Sequence, residues 1–280
     1  MSPFFARKVL LMNRLLYNVM PISLLVLPYV FYPAFDGAGF YFDKESGAVE
    51  NITAVLLAIA IFFVARTFWK VRATSSVAFR FSTFAWLVIF GLGCVYFLGE
   101  EISWGQHLFG WATPESWMAV NDQGETNLHN MSGWLDQIPR TVLTIGIIAG
   151  GLVSPLIRKW RNGARWGHKG ETFLIHFMPG WNCVTGAACV TGIILLGVLY
   201  ALTGFEWLGI SVGEVKESLI SMFLLVYIVD FGQRLMQSKA SIEAENNSTS
   251  ISNTIPFPVA HEPSPKQTSK QTSARKKKRA

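Results

Sequence analysis

Apolar residues fill this chain in long blocks, separated by shorter polar stretches. A helix needs about 20 apolar residues to cross the hydrocarbon of a bilayer. Six segments meet that need, at about 15–34, 52–69, 81–99, 141–157, 183–203 and 218–235. The pattern predicts an all-α polytopic membrane bundle, because a helix satisfies its own backbone groups in lipid. Pro21 and Pro28 interrupt the first block, and no small-residue cleavage site follows it. It therefore reads as a retained helix rather than a signal peptide. A shorter apolar piece at 173–178 runs into Pro179 and Gly180, which break the hydrogen-bond ladder, so it reads as an interfacial or broken helix. The stretch 102–120 is rich in Trp but too polar to span, and fits a re-entrant or interfacial segment.

Composition agrees with this pattern. The chain is 51% hydrophobic and only 15% charged, against about 25% charged in soluble domains. The net charge of +6 is distributed by topology. Of the 24 Lys and Arg, all but Lys44, Arg140 and Lys216 fall in the N-terminal segment, the loops after spans two and four, and the tail. Cytoplasmic loops collect Lys and Arg, so both termini are expected in the cytoplasm and the block 99–140 on the opposite side. Basic residues confined to loops and a tail give no reason to expect nucleic acid as a partner. Cys94, Cys183 and Cys189 lie in apolar segments and fit neither a disulfide framework nor a CxxC knuckle. Gly146 with Gly150, and Ala188 with Gly192, have the small-residue spacing of helix seams within the bundle. The transmembrane domain spans 1–237. Residues 238–280, rich in Ser, Thr, Asn, Lys and Pro, read as a disordered basic tail that can touch anionic lipid headgroups.

The candidate chemistry is concentrated between 99 and 130, which contains GEEISWGQHLFGW and GETNLHN. Ionisable groups at a membrane boundary are costly to desolvate and usually functional. If span three continues as a helix, Glu100, Ser103, Trp104 and His107 share one face, and Glu125 and His129 share another. Carboxylate with imidazole suits a divalent metal such as zinc, with Glu100, His107 and His129 as ligands and Glu101 or Glu125 as general base. A metal-free polar binding site, or a structural network in which carboxylates cap loops, accept indole N–H groups or pair with Arg140, explains the same residues. Trp104, Gln106, Trp111, Asn127 and Asn130 are candidate binding residues. With Trp117 and Trp134, the indoles form either an interfacial belt or a stacking wall for a sugar or lipid headgroup. Elsewhere, Asp230 is expected to pair with Arg234 one turn on, with His176 as the other possible partner. Glu50 reads as a cap of the second span or as a further member of the outward site.

GEEISWGQHLFGWATPE followed by NDQGETNLHN resembles a signature of bacterial multi-pass membrane proteins of unassigned activity. The resemblance implies a bacterial plasma membrane and no particular reaction. Ser103, His107 and His129 are also similar in type to the residues of alkaline ceramidase-like membrane hydrolases, which implies zinc chemistry and adds Ser103 to the catalytic candidates. Three functions follow as expectations. The first is handling of a lipid or lipid-linked envelope molecule, as an enzyme by metal-assisted hydrolysis or group transfer. The second is a non-catalytic assembly subunit docking an envelope protein. The third, a small-molecule transporter, has few midplane polar groups and no paired broken helices in its favour.

Overall fold

The computed structural model describes residues 11–35, 47–73, 80–119, 126–128, 133–160, 176–204 and 212–254, which are helices and turns with no strand among them. Six helices are long and apolar enough to cross a membrane. They are α1 (Met20–Phe35), α2 (Ala48–Arg72), α3 (Arg80–Glu101), α4 (Gly133–Gly146, continued to Trp160), α5 (Val184–Thr203) and α6 (Val212–Thr254). Their membrane-spanning stretches match the expected spans one for one, with ends a few residues away from those read from hydropathy. The short fourth span, read as 141–157, runs Ile138–Trp160.

Two helices contain widened, π-type turns. Leu15–Val19 leads into α1, and Ile147–Val153 joins the halves of α4. Both end two residues before a proline, Pro21 and Pro155. A helical proline lacks an N–H and clashes with the carbonyl four residues back, and a wide turn there relieves the clash. In α2, Glu50 lies in the first turn and Lys70 and Arg72 in the last, matching the helix dipole at both ends.

The chain divides into two units, Met1–Ser241 and Ile242–Ala280. Within the first, α6 is the axial helix: 78% of its spanning window is buried, against 17–33% for the other five spans. The other helices reach it through small residues. A Cβ on Gly151 would stand 2.6 Å from the Phe223 ring, and one on Gly232 would stand 2.8 Å from Thr67 Oγ1. Gly186 also faces Phe223. The seams are therefore Gly150, Gly151, Gly186 and Ala187 rather than the pairs expected from spacing. Gly150 does pack on Pro179, but Gly146 and Gly192 meet nothing within 4 Å, and Ala188 is exposed. Adjacent helical positions differ by about 100°, so a one-residue shift selects another face.

The break at Pro179 and Gly180 is present, and its freed carbonyls are satisfied. Tyr227 Oη donates to Phe177 O (2.8 Å) and in turn accepts from Trp86 Nε1 (2.7 Å). Arg158 donates to Pro179 O. Backbone irregularity at membrane depth is tolerated only with such partners. Asp230, 2% exposed, accepts from Arg234 Nε (2.7 Å) and Asn182 Nδ2 (2.8 Å). The expected Arg234 pairing is thus present, while the described hydrogen-bond partner of His176 is Thr83 Oγ1 at 3.2 Å. Helix α6 continues past 237 as far as Thr254, into the segment read from composition as a disordered tail. The Ala and Glu of KASIEAEN favour that continuation. Residues 255–280 lie outside the described residues.

Candidate functional site

Helix α3 ends on Gly99, Glu100 and Glu101, and it does not continue as the one-face reading requires. Ser103 (φ 45°), Trp104 (φ 54°) and Gly105 (φ 99°) form a left-handed turn. Left-handed backbone costs an L-residue about 1–2 kcal/mol, and such outliers cluster where the surrounding structure imposes them for function. The turn folds Trp104 back over the helix end. A Cβ on Gly99 would stand 2.9 Å from its ring, and its indole Nε1 donates to Glu100 Oε1 at 2.8 Å. Gly105 is required twice, by its positive φ and by Phe109 and Trp111, which would crowd a Cβ at 3.1 and 3.4 Å. One helical turn follows (Gln106–Phe109), closed by Gly110 at φ 68°. Phe109 and Trp111 then stack at 5.8 Å and 9°.

The segment Thr126, Asn127, Leu128 is held against this turn. Leu128 N donates to Glu100 Oε2 (2.7 Å), and Thr126 N to Gln106 Oε1 (2.6 Å). Gln106 Nε2 donates to Thr113 Oγ1 (2.8 Å), Asn127 Nδ2 to Ser103 Oγ (3.3 Å), and Trp111 Nε1 to Thr126 Oγ1 (3.3 Å). The two halves of the sequence motif therefore meet. Glu100, Ser103, Trp104, Gln106, Trp111 and Asn127 are brought into one network. Glu100, 4% exposed, and Asn127, fully buried, are its interior members.

The chemistry of the donor set bears on the metal expectation. Both Glu100 oxygens accept protein N–H groups, the structural role weighed against ligation. The backbone of His107 is helical but its side chain is not described, and Glu125, His129 and Asn130 lie outside the described residues. Among the described residues no three His, Cys, Asp or Glu side chains are placed to hold a metal ion. Of the remaining indoles, Trp117 is half-buried and Trp134 stands 78% exposed on α4.

Glu101 takes no part in this network. It lines a cavity of about 790 Å³ between α3, α4 and α6. The walls are apolar along most of their length, formed by Phe90, Cys94, Leu143, Ile147 and Phe223. One end carries Glu100, Glu101 and Arg140, and the other carries Trp86, Phe177 and Tyr227. Glu101 is 9% exposed. Its electrostatic neighbours are Glu217, Arg140, Glu214 and Glu50. Arg140 Nη1 is paired with Glu217 Oε1 at 2.8 Å. Glu50 thus contributes to the field at this site while occupying the first turn of α2. Glu214 and Glu217 were not singled out by sequence. The available signal was two acids three residues apart opening a span, on one helical face.

No family model, curated protein or solved structure matches this chain.

Proposed function

We propose that this chain is a multi-pass plasma-membrane protein that holds a lipid or lipid-linked envelope molecule. Its apolar chain lies in the cavity between α3, α4 and α6, and its polar end lies at Glu100, Glu101 and Arg140, on the non-cytosolic side. The observation that carries the reading is the cavity itself: about 790 Å³, apolar along its walls and polar at one end. That volume falls within the range of about 300–1,000 Å³ usual for ligand sites, and the shape fits an amphiphile. The distribution of Lys and Arg supports the side, and the GEEISWGQ…GETNLHN signature supports a bacterial membrane.

In an enzymatic form of this reading, Glu101 is the base, since Glu100 is committed to Trp104 and Leu128. A docking role is favoured by a separate observation. Trp104, Phe109 and Trp111 are 45%, 78% and 39% exposed beside the network, and such aromatic surface suits a protein partner. Native mass spectrometry of the full chain from mild detergent tests the lipid reading. Gly93 and Gly146 line the cavity and a Cβ on either meets nothing within 4 Å. Gly93→Leu with Gly146→Leu therefore fills the space and is expected to remove the retained lipid while the protein stays folded. Equal retention by the filled variant overturns the proposal. Glu115→Cys should react with a membrane-impermeant maleimide in intact cells while the buried Cys94, Cys183 and Cys189 do not; labelling only after lysis overturns the orientation.

A further inference from the structure

The walls of the cavity cannot by themselves choose a ligand. Lipid tails are as apolar as the side chains they would touch, so moving a tail from bilayer to cavity changes little. Selection falls to the polar end, where Glu101 faces the cavity. Glu50, Glu101, Glu214 and Glu217 share one neighbourhood with Arg140. Arg140 already donates to Glu217 at 2.8 Å, and Glu100 already accepts from Trp104 and Leu128. Glu101 lines the cavity at 9% exposure, and no hydrogen-bond donor reaches it among the described residues. A carboxylate taken out of water without a partner is costly, and a cation held within hydrogen-bond reach offsets that cost. Tyr96, on the same wall, adds an aromatic face of the kind that attracts ammonium groups.

We propose that the occupant is an amphiphile whose headgroup bears an ammonium, bound by Glu101, with its tail along the wall from Cys94 to Phe177. This rests on the cavity holding a lipid, and adds the class of headgroup. The ammonium N–H groups donate to the Glu101 carboxylate, which displaces nothing from Arg140. A lipid with an anionic headgroup and no amine brings no cation to Glu101 at the same place.

The test uses the full-length protein, stripped of lipid and offered three lipids of identical tails in native mass spectrometry: phosphatidylethanolamine, its N-acetyl derivative, and phosphatidylglycerol. The N-acetyl lipid keeps the phosphate and loses the cation, so it matches phosphatidylglycerol in net charge. Wild type is expected to bind phosphatidylethanolamine about tenfold or more tightly than the other two, the scale of one charge-assisted hydrogen bond. Glu101→Gln is expected to bring all three to one level. Equal binding of the three lipids by wild type, or a preference unchanged in Glu101→Gln, overturns the headgroup assignment and leaves the tail site standing. Binding of none of them, or binding unaffected in the Gly93→Leu, Gly146→Leu variant, removes the tail site as well. Should Glu101→Gln not fold, phosphatidylethanolamine against its N-acetyl form on wild type decides the matter alone.

Discussion

Glu100→Gln is the substitution that most directly probes how the two motif halves are joined. The carboxylate accepts from the Trp104 indole through one oxygen at 2.8 Å and from the Leu128 amide through the other at 2.7 Å, at 4% exposure. Glutamine offers one oxygen and one NH₂. Whichever way the amide turns, one N–H then faces another N–H. A hydrogen bond to an ionised group contributes about 1.5–3 kcal/mol, and a buried donor left unpaired costs about 1–3 kcal/mol. A local loss of about 2 kcal/mol is expected, centred on the clamp. Every 1.4 kcal/mol is about tenfold in an opening equilibrium. Hydrogen exchange followed by mass spectrometry should therefore show peptides covering 126–128 exchanging about 10–100-fold faster. Peptides from α6 at 219–231 should be unchanged. Unaltered exchange at 126–128 refutes the clamp. Equal acceleration in α6 would mean that the carboxylate supports the whole bundle instead.

Three further outcomes follow from the same geometry, each read by thermal unfolding with a thiol-reactive dye, since Cys94, Cys183 and Cys189 are free and buried until the bundle opens. Ser103→Ala and Ser103→Gly both lose the hydroxyl at Asn127, but only alanine keeps a Cβ at φ 45°; the glycine variant should be more stable by about 1 kcal/mol, and the reverse order would deny that the turn is strained. Gly151→Ala pushes a methyl to 2.6 Å from Phe223 and should cost about 1–3 kcal/mol, whereas Gly146→Ala enters open space and should cost nothing; equal effects would displace the seam. Gly180→Ala sets a Cβ 2.5 Å from Asp230 Oδ2 and should cost about 3 kcal/mol by prying Asp230 from Asn182 and Arg234, while a neutral result would show that the ion pair has room to move.

The spans were legible because length and hydropathy alone decide whether a helix can cross a bilayer. The break at Pro179 and Gly180 was legible for a similar reason, since its chemistry is local. What local pattern cannot carry is the direction of the chain after α3. ISWG reads as another helical turn, and only Gly105 hints otherwise; the left-handed geometry of Ser103 and Trp104 is imposed by the Trp104 ring closing over Gly99 and by Leu128 reaching Glu100. Helical spacing grouped Glu100, Ser103, Trp104 and His107 on one face; the first three do come together, but through the left-handed turn, and the side chain of His107 is not described.

The partners of Glu101 were hidden for a different reason. Glu217 and Glu50 belong to other helices, and their approach to Glu101 is a property of packing. Once packed, the adjacent acids separate into two roles. Glu100 also lines the cavity, but both its oxygens accept N–H groups of the chain. Glu101 turns toward the cavity and is left with Arg140 already engaged by Glu217. A residue needed only to close the loop has no reason to face an apolar chamber at 9% exposure. In the proposed complex a ligand's cation meets Glu101 there, and the cost of the empty chamber becomes the energy that discriminates among ligands.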